Sequence, residues 1–241
     1  MAKTILNPAL GRISGLLGNF VYRNRNGKTF LSRRPCYSST QPSIEVVNRR
    51  KHFGNNARLS SAIIKLPEVS SAWEKKTYGN YTGYNLLSRA NYNFVTPDDV
   101  QNGATIFPDF GAYFSERTVK VTKSSVKLVL NSDDQHFENK ENSFFIKLLA
   151  IICCKDKNVD TLKDLEFIEC YSSLTKINRN KTFRLIFSLP SAKSEKCSLK
   201  DFQKSIYNDY ESHSFLLAFV VYDKNNQFLA HSETLFINTM K

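Results

Sequence analysis

The spacing of apolar residues changes period along this chain. From residue 112 onward, apolar or alternating runs occupy 118–122, 126–130, 143–153, 165–171, 182–189, 215–222 and 228–237. Polar, turn-forming stretches such as Asn131-Ser-Asp-Asp and Asp223-Lys-Asn-Asn separate them. About seven short strands at this spacing predict an antiparallel β-sandwich of immunoglobulin-like grain. The last two runs read as a hairpin across 224–226. Residues 191–212 mix acids and bases and read as a long connection with a short helix near 200–206.

The stretch 43–96 has a helical period instead. Ser43 is placed to cap a helix whose apolar positions are Ile44, Val47, Phe53, Ala57 and Ile64, and Pro67 ends it. A short segment around 69–73 follows, with Trp73 expected to anchor the helices against the strands. Gly79 and Gly83 break the chain, and a last helix runs through Leu87, Ala90 and Phe94 to stop at Pro97. Ahead of this zone, Asn26-Gly27 lies between two apolar-aromatic runs. Both residues tolerate the positive φ of a tight primed turn, so the pair predicts a β-hairpin that Pro35 closes. Phe20 and Tyr22 alternate with Val21 and Arg23, and Phe30 and Ser32 with Leu31 and Arg33. One aromatic face and one arginine-bearing face are expected. The pattern therefore predicts an α+β protein: a basic arm and β-hairpin over 1–42, a helical segment and connection over 43–111, and a β-sandwich over 112–241.

Charge alters this picture at one end only. The first 58 residues hold eleven Lys and Arg against one acid, Glu45, a formal +10, whereas the whole chain is +12. A segment so one-sided repels itself unless an anion is near, so the expected partner is a polyanion, nucleic acid foremost. The candidate contacts are Arg23, Arg25, Lys28, Arg33 and Arg34 around the hairpin, extended by Arg49, Arg50, Lys51 and Arg58 on the first helix. Guanidinium forks grip phosphate oxygens, and Phe20, Tyr22, Phe30 and Tyr37 could stack on bases or face a core. A two-stranded ribbon also fits a DNA major groove.

The remaining composition excludes more than it assigns. A hydrophobic content of 41% with 12% aromatics is that of a packed chain and not of a disordered one. The start, Met-Ala-Lys-Thr-Ile-Leu-Asn-Pro, lacks the apolar core of a secretory signal, and the longest apolar run, 144–154, is short of a membrane span. Five cysteines without a CxxC pair read as reduced, packed thiols in a cytoplasmic protein, Cys153 and Cys154 pointing to opposite faces of a strand.

Catalytic patterns are weak. Gly11, Gly15 and Gly18 lack the Gly-Lys-Ser/Thr ending that a phosphate loop needs, and Asn26-Gly-Lys28-Thr29 lies in a turn. His52, His136, His213 and His231 are too scattered for a zinc site, and His136-Phe-Glu138 lacks the cysteine half of a deaminase signature. Ser173-Leu-Thr-Lys176 fits Ser-x-x-Lys but falls in a stretch that reads as a turn. Asp98-Asp99 and Asp133-Asp134 are adjacent pairs whose side chains diverge. No cofactor, metal or enzymatic activity is expected.

The run Gly11-Arg-Ile-Ser-Gly15, Gly18-Asn-Phe-Val-Tyr22, Asn26-Gly-Lys28 and Arg33-Arg-Pro35 resembles the opening signature of a bacterial domain-of-unknown-function family of short proteins. The resemblance continues through Gln41, Arg50-Lys-His-Phe53, the helix of Tyr84 and Asn91, Phe107-Pro-Asp109 onward to Ser115, and Phe219-Val-Val-Tyr-Asp with Ser232. It implies a small protein, basic at the front and β-rich behind, and carries no catalytic residue. Leu16-Leu17 departs from the lysine and small residue that family members tend to carry. The functional expectation is thus a non-enzymatic module binding nucleic acid through phosphates with little sequence preference. The alternative is a structural or assembly protein of a phage-like or mobile-element particle, virion-associated, whose arm contacts neighbouring subunits as a homo-oligomer. Neither involves a membrane.

Overall fold

The computed structural model describes residues 2–3, 15–17, 19–25, 28–34, 41–109, 117–122, 125–131, 143–156, 165–178, 182–189 and 199–238. The chain divides into two compact units, Met1–Ser43 and Ile44–Lys241.

The first unit is an antiparallel sheet of β1 (Ala2–Lys3), β2 (Gly15–Leu17), β3 (Phe20–Arg25) and β4 (Lys28–Arg33), in the order β1-β4-β3-β2. Arg25 pairs with Lys28 and Phe20 with Arg33, so a two-residue connection joins the central strands. The Asn26-Gly27 turn itself lies outside the described residues.

The second unit is built on two long strands, β7 (Ser143–Lys155) and β11 (Ser212–Tyr222), paired from Ser212–Lys155 to Tyr222–Phe145. Each shares its outer edge between two short strands. β8 (Glu166–Tyr171) and β9 (Thr175–Asn178) pair with β7, and β12 (Phe228–His231) and β13 (Leu235–Asn238) pair with β11. A serine sits at each joint. Ser172 donates its N–H to the Leu148 carbonyl at 2.8 Å while its Oγ accepts the Leu148 N–H at 3.0 Å. Ser232 does the same with Phe219 at 2.9 and 3.0 Å. Residues 172–174 then face two residues of β7, and 232–234 face two of β11, a bulge that shifts the register by one on both sides. Leu148 and Phe219 are themselves register partners, so the two halves of the sheet repeat one design about a quasi-twofold axis.

Two expectations are corrected here. The run 228–237 is two strands, because the bulge at Ser232 re-aims the chain. The stretch holding Ser173 and Lys176, read as a turn, contains β9, because the bulge at Ser172 lets the chain resume pairing with β7.

β5 (Arg117–Thr122), β6 (Ser125–Asn131) and β10 (Thr182–Ser188) form a separate antiparallel sheet in the order β10-β6-β5. Period-two alternation sends Val126, Leu128, Leu185 and Phe187 inward, where they share one core with Phe144, Ile146, Leu148, Ile152, Phe215 and Phe219 of the central sheet. The central sheet is therefore apolar on both faces. Leu149, Ile151, Cys153, Leu216, Ala218 and Val220 on its other side pack under α1 (Ile44–Ile64), α2 (Pro67–Lys75) and α3 (Gly83–Asn91) through Leu59, Ile63, Val69, Trp73 and Leu87. This places Cys153 and Cys154 in different cores, as the alternation required. Trp73 is 5% exposed, and its Nε1 donates to the Ile106 carbonyl at 2.8 Å. The body is thus α+β and β-rich, with the helices layered on a sheet.

The α1 stripe differs from the expected one. Its buried residues are Asn55, Asn56, Leu59, Ser60, Ala62 and Ile63, whereas Ile44 and Phe53 are 77% and 65% exposed. Two of the buried positions are amides whose hydrogen bonds replace water. Asn55 Nδ2 donates to the Thr96 and Pro97 carbonyls at 3.2 and 2.8 Å, and Asn56 Nδ2 to that of Ser88 at 3.0 Å. A hydropathy pattern counts such residues as solvent-facing. Gly83 opens α3 where a Cβ would meet Trp73 and the Glu74 nitrogen at 3.1 to 3.2 Å. A further helix, α4 (Asp201–Asp209), lies within the expected connection.

Candidate nucleic-acid interface

The basic residues singled out by charge fall in both units. Arg23, Arg25, Lys28, Arg33 and Arg34 belong to the four-stranded sheet or its end, and Arg49, Arg50, Lys51 and Arg58 to α1.

Register decides which sheet residues share a face. A two-residue connection pairs even positions of β3 with odd positions of β4. Phe20, Tyr22 and Asn24 accordingly share a face with Arg33, Leu31 and Thr29, whereas Val21, Arg23 and Arg25 share the other with Ser32, Phe30 and Lys28. The expected division into an aromatic and an arginine face does not hold; each face carries both. What emerges instead is a concentration of charge. β1 pairs Lys3 with Phe30, so Lys3, Arg23, Arg25 and Lys28 occupy register positions of one face. No acid occurs anywhere in residues 1–43. Lys3 was outside the expected set, and no local signal could have included it, because the β1–β4 pairing spans the whole unit.

Arg23, Arg33 and Arg34 are exposed. Phe20 is 47% and Leu16 58% exposed, while Tyr22, Phe30 and Leu31 are half-buried. Tyr37 lies outside the described residues. The Arg34 N–H donates to the Asn19 carbonyl at 2.7 Å, continuing the ladder beyond β4.

On α1, Arg49 and Arg50 are exposed and Lys51 is half-buried. No residue of 44–54 is fully buried, and His52 is one of its half-buried members. That ring stacks on Tyr92 with centroids 4.3 Å apart and donates from Nε2 to the Tyr92 carbonyl at 2.8 Å. Arg58 is differently employed. Its Nη1 donates to the Leu165 carbonyl at 3.3 Å, which commits part of its fork to holding the fold.

Some of the polar and reactive groups noted in the sequence are tied into the fold. Asp99 accepts the Val100 N–H at 2.8 Å through Oδ1 and pairs with Lys155 through Oδ2, while Asp98 is exposed. Burial first, and the Asp99 carboxylate second, push the Cys153 thiol up to about 12; burial also raises Cys154, so neither is a ready nucleophile. Among the described residues no group of three or more His, Cys, Asp and Glu is placed to hold a metal ion. His136, Asp133 and Asp134 lie outside the described residues. A hollow of about 210 Å³ is lined by Glu68, Lys75, Asp109, Phe228 and His231. Its Asp109 pairs with Lys76 at 3.1 Å, and burial lowers the His231 pKa while the ring stacks on Phe107 at 4.1 Å. Among the described residues, no helix is long and apolar enough to cross a membrane.

No protein-family model matches this sequence, and no curated protein matches it.

Proposed function

We propose that this protein is a non-enzymatic module that binds nucleic acid through its phosphates, using the N-terminal sheet. The observation that carries the reading is the register that gathers Lys3, Arg23, Arg25 and Lys28 on one face of a unit without acids. Four cations on one acid-free face attract a polyanion, and phosphate contacts supply affinity without a base code. Arg49 and Arg50 offer a second set of exposed forks. The proposed kinship with a bacterial domain-of-unknown-function family fits a basic front and β-rich back, and adds no activity.

The test exploits the face argument. Replacing Arg23, Arg25 and Lys28 by alanine should weaken binding to a labelled oligonucleotide by at least about tenfold and lower the salt slope by roughly 2. Replacing Arg33, which lies on the other face, should cost markedly less; Arg34 is kept, because its bond to Asn19 continues the register and puts it on the first face. Equal losses from the two variants would remove the sheet-face argument.

The alternative reading, an assembly protein whose arm contacts neighbouring subunits, draws on the exposure of Leu16 and Phe20. It predicts homo-oligomers that survive high salt in size-exclusion chromatography, with no affinity for nucleic acid.

A further inference from the structure

Charge counting treats residues 59–241 as balanced, with 23 basic and 21 acidic groups. Among the described residues, one sheet face does not share that balance. The three-stranded sheet of β5, β6 and β10 turns Val119, Val121, Val126, Leu128, Leu185 and Phe187 toward the core, which leaves the alternate residues outside. Lys120, Lys127 and Arg184 are exposed there, with Thr118 and Thr122. No Asp or Glu occupies an outward position of these strands. The two lysines are register partners, directly across from one another, and Arg184 lies one row along, opposite Val129. None of the three is paired with a carboxylate among the described residues.

Like charges directly opposite on a sheet destabilise it. A chain that needed only a stable sheet would place an acid or a threonine at one of the two positions. Lys120 and Lys127 therefore impose a local cost that an anionic partner would offset.

We propose that this outer face is a second phosphodiester-binding surface, which contacts the backbone of the same class of nucleic acid as the N-terminal sheet. The inference rests on the nucleic-acid reading of the protein but on different residues. Same-face residues one row apart on a strand are separated by roughly 6.8 Å, a step close to that between successive phosphates of an extended strand. The flanking hydroxyl of Thr118 is of the kind that commonly accompanies Lys and Arg on phosphates, whereas that of Thr122 is bonded to Ser125. Among the described residues, Ile186, 50% exposed and opposite Lys127, is the only large apolar side chain exposed on this face, which is too little for insertion into a lipid surface. A strand bound at both this face and the N-terminal sheet gains by avidity if its length allows both contacts at once.

The test uses the full chain with fluorescein-labelled single-stranded DNA and the equivalent duplex, read by anisotropy across a salt series. Replacing Lys120, Lys127 and Arg184 by threonine, a residue that strands favour, should lower affinity at low salt by roughly tenfold and the salt slope by about 2. Lys127→Glu gives a second readout. It creates an opposite-charge pair with Lys120, so it should raise the melting temperature by a degree or more while weakening DNA binding. Wild-type affinity and slope in the threonine variant would overturn the inference. If the Arg23, Arg25 and Lys28 variant is impaired in the same series, the N-terminal reading stands without it. Loss of binding to phosphatidylserine vesicles with DNA binding unchanged would also overturn it, in favour of a membrane surface.

Discussion

Glu68 is the residue on which the helical layer is tied to the sheet. Its Oε1 accepts from Lys147 Nζ at 2.8 Å and from the Tyr222 hydroxyl, joining α2 to both long strands. Lys147 also lies 4.2 Å over the Tyr171 ring. Burial alone would raise the Glu68 pKa, but the bonds from Lys147 and Tyr222 outweigh it and hold the carboxyl below its ordinary 4.5. Lys147→Met would leave that carboxylate without its cation, in a pair whose side chains are 17% and 13% exposed. The expected loss is about 3 kcal/mol in urea unfolding, at the low end for a broken buried pair. The pH dependence follows from the signs. His213 and His231 are half-buried with pKa values lowered below 6.5, burial outweighing their backbone hydrogen bonds, so their contribution is complete above 6.5 and is lost on acidification. The Glu68 contribution is complete above 4.5 and is lost as pH falls through its lowered value. Unfolding free energy measured against pH should therefore fall in two stages, and Glu68→Gln should flatten only the lower one. At the bulges, Ser172→Ala and Ser232→Ala each strip an acceptor from a buried N–H, at about 1–3 kcal/mol apiece. Because the two sites are built alike, their losses should be similar.

Elements differ in how far the chain announces them. Inward alternation of Val126, Leu128, Leu185 and Phe187 is visible in the residues themselves, and Pro67 and Thr82 mark helix starts; Thr82 Oγ1 accepts the Asn85 N–H at 3.3 Å. The two bulges are not visible, because Ser172 and Ser232 act through bonds to strands far along the chain. Asn55 and Asn56 hide the buried stripe of α1 for the same reason: their partners, at Thr96, Pro97 and Ser88, come from later segments. The hairpin sits between these cases. Its strands are plain in the alternation, yet which residues share a face turned on the parity of the connection, and that moved Arg33 to the side of Phe20 and Tyr22. The two halves of α1 should also differ in dynamics. Residues 44–54 have no fully buried member, so their amides should exchange with solvent at least about tenfold faster than those of 55–63, as hydrogen exchange would show.

At the scale of the molecule, charge is the organising feature, and its placement was only partly legible. Counting located ten of twelve net charges in the first 58 residues. It did not distinguish Arg58, which donates to the Leu165 carbonyl, from Arg49 and Arg50, which are exposed. Nor did it register Lys120, Lys127 and Arg184, which are scattered in sequence and come together only through strand register. A charge census averages over segments, whereas a sheet selects alternate residues. The account's central claim is that cations on one acid-free face of the N-terminal sheet hold nucleic acid by its phosphates. The most direct measurement is the affinity of the full chain for a single-stranded oligonucleotide as salt rises from about 50 to 200 mM. Lys3, Arg23, Arg25 and Lys28 alone predict a slope of log K against log salt of roughly −3, at about −0.7 per phosphate neutralised. Absence of binding at the lowest salt, or binding whose slope is near zero, would contradict it.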